Sequence, residues 1–239
     1  MSGSEAFVPD TKNVTGKLLL WLPFLVPPLL LLPVAALRFV SALSVNESFP
    51  TSTYIAMNIA QPAQAYRDAA EKLMSVDPSD GEDHIIQARA MALAGESAGD
   101  VIPVLQDALT HSPSDIDGWT SLAEETAKID KAQAAEILSL ALLLGPDDYW
   151  SAPRRAALAV DLWPYLDAEG KQNALSQIRL LWEDVSLRRH LESFLAQPSG
   201  GELMKRAFAQ NPDEIRAMNR WIAAMHRAPN NRFDTSMPW

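Results

Sequence analysis

Three short clusters, Asp77-Pro78-Ser79-Asp80, Ser112-Pro113-Ser114-Asp115 and Gly145-Pro146-Asp147-Asp148, recur along the chain with their prolines 35 and 33 residues apart. Proline lacks a backbone donor and blocks helix continuation, while Ser, Asp and Gly bond locally in turns, so each cluster is a break. Between the breaks Ala, Leu, Glu and Gln dominate, and residues 61–227 hold no sustained alternation of β-branched residues. The intervening segments therefore read as helices, and the fold class is all-α. About 34 residues per unit, with room for two helices between breaks, is a helical-repeat period.

Other positions keep that register. Trp119 follows Pro113 by six residues, and Leu122 follows Trp119 by three. Ala108 and Ala141 each stand five residues before the closing proline. Over about 61–162 the chain resembles the tetratricopeptide (TPR) family, with repeats at 81–113 and 116–146. It departs from the family pattern at Met91 and Thr126, where an aromatic is usual, and at His84, which takes the tryptophan position of the earlier unit. After Pro146 the pattern degenerates, because Ala152 stands in the tryptophan position and Trp150 is displaced by two.

The resemblance implies that first helices line a concave groove that accepts a peptide or a partner helix. By register the groove-facing residues are Glu82, Ile85 and Arg89 from one unit and Asp117, Thr120, Glu124 and Lys128 from the next. Trp150, which fits no buried register, joins them as a contact candidate. Asp117 and Glu124 are seven residues apart, on one helical face, beside Lys128. Both are expected to be exposed, so the groove should be negative and favour a partner segment bearing Lys, Arg or a free amine.

The rest of the body extends this plan. Residues 61–76 read as a second helix without a full first partner, so the TPR-like repeats cover 61–149. Residues 150–227 form a degenerate repeat and a C-terminal helical region, and 228–239 a flexible tail. Asn211-Pro212-Asp213-Glu214 is a helix start followed by Ile215, Met218, Ile222 and Met225 on one face. A repeat array needs a terminal element over its last apolar face, and this helix with Trp163, Trp182 and Trp221 supplies a C-terminal helical cap.

Upstream, Leu18 to Leu37 contains no charge. A helix of about 20 residues spans the roughly 30 Å hydrocarbon core, so 18–37 is expected to be a single transmembrane anchor. Lys12 and Lys17 precede it and Arg38 follows, which places the 1–17 lead in the cytoplasm and the body, after a 38–60 tether, on the periplasmic or extracytoplasmic side. Pro23, Pro27, Pro28 and Pro33 imply kinking or a packed neighbour. The alternative is a cleaved secretory signal, for which Val40-Ser41-Ala42 supplies small residues.

Composition removes several chemistries. The 239 residues include no cysteine, which excludes disulfides, thiolate metal sites and a cysteine nucleophile. A net charge of −10 makes nucleic acid a poor partner. The charge is uneven, with 5 basic against 18 acidic residues over 44–150 and 12 against 10 over 151–239. His84, His111, His190 and His226 form no ligand spacing, so no metal is expected. Gly200-Gly201 lacks a phosphate-loop context, and no serine sits in a nucleophile elbow, so neither cofactor nor catalytic residue is assigned. Arg154-Arg155, Arg188-Arg189 and Lys205-Arg206 read as solvated helix faces, or as contacts for an anionic headgroup, glycan or acidic partner. The expectation is a non-enzymatic scaffold that binds a partner protein in cell-envelope assembly, such as polysaccharide export, cytochrome maturation or folding of secreted proteins. The alternative is an accessory subunit that packs against a multi-span enzyme or transporter through its proline-rich membrane helix.

Overall fold

The computed structural model describes residues 54–55, 60–74 and 81–227. Among them are ten α-helices, one 3-10 turn and no strand. In order they are α1 (Ala63–Leu73), α2 (Gly81–Ala94), α3 (Ala98–His111), α4 (Ile116–Ala127), α5 (Lys131–Leu144), α6 (Ala152–Leu162), α7 (Ala168–Glu183), the 3-10 turn (Arg188–His190), α8 (Leu191–Leu195), α9 (Gly200–Ala207) and α10 (Pro212–Arg227).

The helices start where a side chain satisfies orphan backbone donors. Ser97 accepts from the Asp100 amide, Asp115 from Gly118, Asp130 from Ala132 and Gln133, and Asp167 from Gly170. Each helix from α1 to α6 packs on the next, and α2 also touches α4, α4 touches α6, and α5 touches α7. Helices two apart in sequence are therefore neighbours, as stacked hairpins require. The helices α2, α4 and α6 begin 35 and 36 residues apart. The regular spacing thus continues through the α6–α7 pair, one unit beyond the point where the sequence pattern degenerates.

Close approach explains the small residues. Ala108 and Ala141 are fully buried. A Cβ on Gly118 would lie 2.8 Å from Ile85 Cδ1, and one on Gly145 would lie 2.3 Å from Ile116 Cδ1. Both glycines sit where α4 meets its neighbours.

Apolar packing runs along the stack and ends in a larger cluster of Trp182, Leu191, Phe194, Met204, Phe208 and Met218. Ile215, Trp221 and Ile222 pack against it, and Trp182 and Trp221 meet edge to face with centroids 6.1 Å apart. Helix α10 thus brings its apolar face onto the end of the array, and Glu214 accepts a 2.6 Å bond from the Trp182 indole.

The boundary of the tether differs from expectation. Tyr54 and Ile55 are helical, and Ile55 is fully buried among Tyr66, Ala69, Ala70 and Ala90. Helix α1 therefore does have a partner upstream, and the chain is already part of the body at Ile55. Residues 44–60 carry no sustained period in sequence, so local pattern gave no sign of the packing at Ile55. The expected transmembrane span at 18–37, the 1–17 lead and the 228–239 tail lie outside the described residues. Among the described residues no helix is long and apolar enough to cross a membrane.

Candidate functional site

Helices α2, α4 and α6 are joined by charged side chains rather than only by apolar contact. Arg154, in the first turn of α6, donates from Nε to Glu124 Oε1 at 2.9 Å and from Nη2 to Glu124 Oε2 at 2.5 Å. Its Nη1 reaches Asp117 Oδ1 at 2.5 Å, and Nη2 also lies 3.0 Å from Ser121 Oγ. Asp117 accepts a second ion pair from Arg89 of α2. Arg89 in turn donates to the Ile55 carbonyl at 2.9 Å. One chain of bonds therefore runs from the segment before α1 across three successive first helices.

The electrostatics of the two arginines differ. For Arg154, burial is the largest single influence and lowers the pKa, but Glu124 and Asp117 together outweigh it and leave it raised. For Arg89, burial and then the charge of Arg154 lower the pKa, and Asp117 and Glu124 only partly offset this. Both remain cations at any ordinary pH. A cation in the first turn of α6 opposes the helix dipole, so the two carboxylates are what make that position tenable.

Beside this lattice is a cleft of about 310 Å³. Ala88, Arg89, Ala92 and Leu93 of α2 form one wall, with Ala88 and the α3 residues Val101 and Leu105 fully buried behind it. Ser121, Glu124 and Glu125 of α4, with Lys128 and Arg154, form the other wall. Glu125 is buried, and both its oxygens accept from Lys128 Nζ at 2.7 Å. Three cations (Arg89, Lys128 and Arg154) face three carboxylates (Asp117, Glu124 and Glu125). Asp117 lies outside the lining, so the lattice sums to zero only when it is counted with the residues that line the cleft.

The expected groove residues are distributed differently than a single helical face would suggest. Glu82 is exposed and takes no part in the lattice, and Arg89 is buried within it. Ile85 and Thr120 are buried, so neither presents a side chain to a partner; the Thr120 hydroxyl donates to the Ile116 carbonyl at 2.7 Å. Asp117 and Glu124 do share a face, but both are ion-paired and only about a third exposed (37% and 34%). The expectation of a negative groove is therefore corrected: its acids are neutralised by Arg154 and Arg89. Lys128 pairs with Glu125 rather than with Asp117 or Glu124. Trp150 is exposed and lines no part of the cleft.

Arg154 is the residue that sequence reading placed wrongly, on a solvated face. A signal for it existed: 18 acids against 5 basic residues over 44–150 need cations from elsewhere in the fold, and Arg154-Arg155 is the first basic pair after that stretch. Arg155 is also not solvated. It is fully buried, with Nη1 donating to the carbonyls of Ala141 (3.1 Å) and Gly145 (2.6 Å), and Nη2 to the Asp148 carbonyl and Gln177 Oε1, both at 2.8 Å. The Ala141 and Gly145 carbonyls also accept from the Gly145 and Asp148 amides, so Arg155 gives the end of α5 and the following turn a second set of donors.

Among the described residues no group of three or more His, Asp or Glu is arranged to hold a metal ion. No family model, curated protein or solved structure matches the chain.

Proposed function

We propose that this chain is a membrane-anchored, TPR-like scaffold that holds a partner protein in the cleft between α2 and α4, in the service of cell-envelope assembly. The observation that carries the reading is the cleft itself, a concavity framed by helices of successive pairs whose accessible apolar lining is Ala92 and Leu93, with Ala88, Val101 and Leu105 buried behind them. Concave, mostly apolar sites with a few placed polar groups are where proteins take ligands. The helix spacing and the buried small residues at 108 and 141 support the likeness to TPR arrays, whose first helices serve this purpose.

The partner is expected to place an apolar side chain in the cleft rather than a string of lysines or arginines. Incoming cations would find no uncompensated carboxylate there, and displacing Arg154 from Glu124 would cost two good ionic bonds.

A photo-crosslinking side chain introduced at Leu93 or at Lys128 of the full-length membrane protein should capture the same partner, identified by mass spectrometry. Filling the cleft by Ala92→Phe should abolish capture while the helical circular dichroism is kept. Capture that persists through Ala92→Phe would exclude this cleft. A chain lacking residues 1–43 should still capture the partner; loss on that truncation would favour the accessory-subunit role, with contact made by 18–37.

A further inference from the structure

We infer that the last turn of α5 and the turn after it dock the body onto the lipid surface. This inference rests on the reading of 18–37 as a membrane anchor. Leu140, Leu143 and Leu144 are spaced i, i+3, i+4 and so share one face of α5, and all three are exposed, Leu143 by 59%. Tyr149 and Trp150 follow directly in the turn before α6, exposed by 48% and 76%. Five large apolar or amphipathic side chains are thus left uncovered within eleven residues, and none of them lines the cleft.

Three observations identify lipid as the occupant. The first is exposure: Trp150 is three-quarters exposed in the turn before α6, and a protein partner would need a preformed pocket to receive it while a bilayer interface yields. The second is chemistry, since Trp and Tyr are the side chains that partition to the headgroup level, with Leu below them. The third is the length of chain upstream. Only residues 38–53 separate Leu37 from Tyr54, and at about 3.3–3.6 Å per residue they reach at most roughly 60 Å, so the anchor keeps the body close to the bilayer.

Charge settles the kind of lipid. No Lys or Arg occurs from Ala132 to Pro153, while Glu136, Asp147 and Asp148 do. Docking is therefore apolar, and anionic headgroups weaken it. Because the cleft is built by α2, α3, α4 and α6, contact through the end of α5 fixes the orientation of the cleft to the membrane without covering its lining residues.

The chain has no cysteine, so one introduced thiol is a unique label site. The full chain is placed in phosphatidylcholine nanodiscs with an environment-sensitive nitrobenzoxadiazole dye on Asp147→Cys, which is exposed beside the patch, or on Val185→Cys, exposed elsewhere. The expected result is a shift to shorter emission wavelength and quenching by headgroup-proximal doxyl lipid at position 147 and neither at 185. Both signals should be lost on adding Leu143→Glu with Trp150→Ser, and weakened by phosphatidylglycerol. A chain that stays with the disc but leaves the 147 dye in water overturns the docking alone. A blue shift without lipid quenching overturns it in favour of a second copy or a protein partner. A chain that does not stay with the disc overturns the anchor, and the docking with it.

Discussion

Arg154 of α6 grips Glu124 of α4 with two parallel bonds, Nε to Oε1 at 2.9 Å and Nη2 to Oε2 at 2.5 Å, and spends its remaining nitrogen on Asp117. This fork-to-fork geometry is available to arginine and not to lysine. Removing it by Arg154→Ala leaves two half-buried carboxylates with Arg89 alone. Removing one partner of a fully buried pair costs about 3–5 kcal/mol. These carboxylates are a third exposed, so about 2–3 kcal/mol is expected, measured by urea denaturation. Arg154→Lys should recover less than half of it.

The same geometry gives the outcome of reversing the acids. With side chains free in solvent, Asp117→Lys with Glu124→Lys would leave folding unchanged. In the observed lattice it sets two new cations against Arg154 and Arg89, so a large drop in melting temperature is expected. Adding Arg154→Glu to Glu124→Arg should restore part of the stability lost by either change alone, as a double-mutant cycle reads directly. No coupling energy between 124 and 154 would refute the pair.

Arg155 tests a different kind of burial. It donates to three carbonyls and to Gln177, and Gln177 in turn donates to the Pro146 carbonyl at 2.6 Å. Arg155→Met should cost about 1–3 kcal/mol, since the Asp148 carbonyl and Gln177 Oε1 lose a donor while the Ala141 and Gly145 carbonyls keep the Gly145 and Asp148 amides. The loss should appear as faster amide hydrogen exchange in the last turn of α5 and in the 145–151 turn, ahead of α2 and α3.

Helix crossings make a steric prediction. Ala141 is fully buried, whereas Ala132, in the first turn of the same helix, is exposed. Ala141→Leu should destabilise by about 1–3 kcal/mol through overpacking. Ala132→Leu should stay within about 0.5 kcal/mol. Equal thermal shifts for the two would count against close helix approach at 141.

His190 should give the body a pH dependence. Burial, and then the neighbouring Arg189 charge, lower its pKa below the ordinary 6.5. The unfolded chain then binds the proton more readily than the fold does, so stability is fully present above pH 6.5 and falls as pH drops through the lowered value. The neutral ring also accepts a 3.1 Å bond from Arg189 Nε, which protonation removes. His190→Gln should flatten the dependence of melting temperature on pH below 6.5; an unchanged slope would assign it to other groups.

Residues and local chemistry by themselves determined that the described chain is helical and where it breaks, because proline, N-cap aspartates and buried alanines act within one or two turns of their own position. Asp115 caps α4 and Pro212 opens α10 for reasons visible in four consecutive residues. Which charges meet was decided only by the tertiary structure. Arg154 lies 30 residues from Glu124 and 37 from Asp117, and nothing local distinguishes it from a solvated arginine until stacking brings α6 beside α4. The burial of Ile55 has the same origin, since it comes from packing against Tyr66, Ala69 and Ala70 of α1 and Ala90 of α2. A register can assign a residue to a helical face, but whether that face meets water, a neighbouring helix or a counter-charge depends on how the next pair of helices is laid down. For that reason Asp117 and Glu124 were legible as neighbours, while their pairing with Arg154 and Arg89 was not.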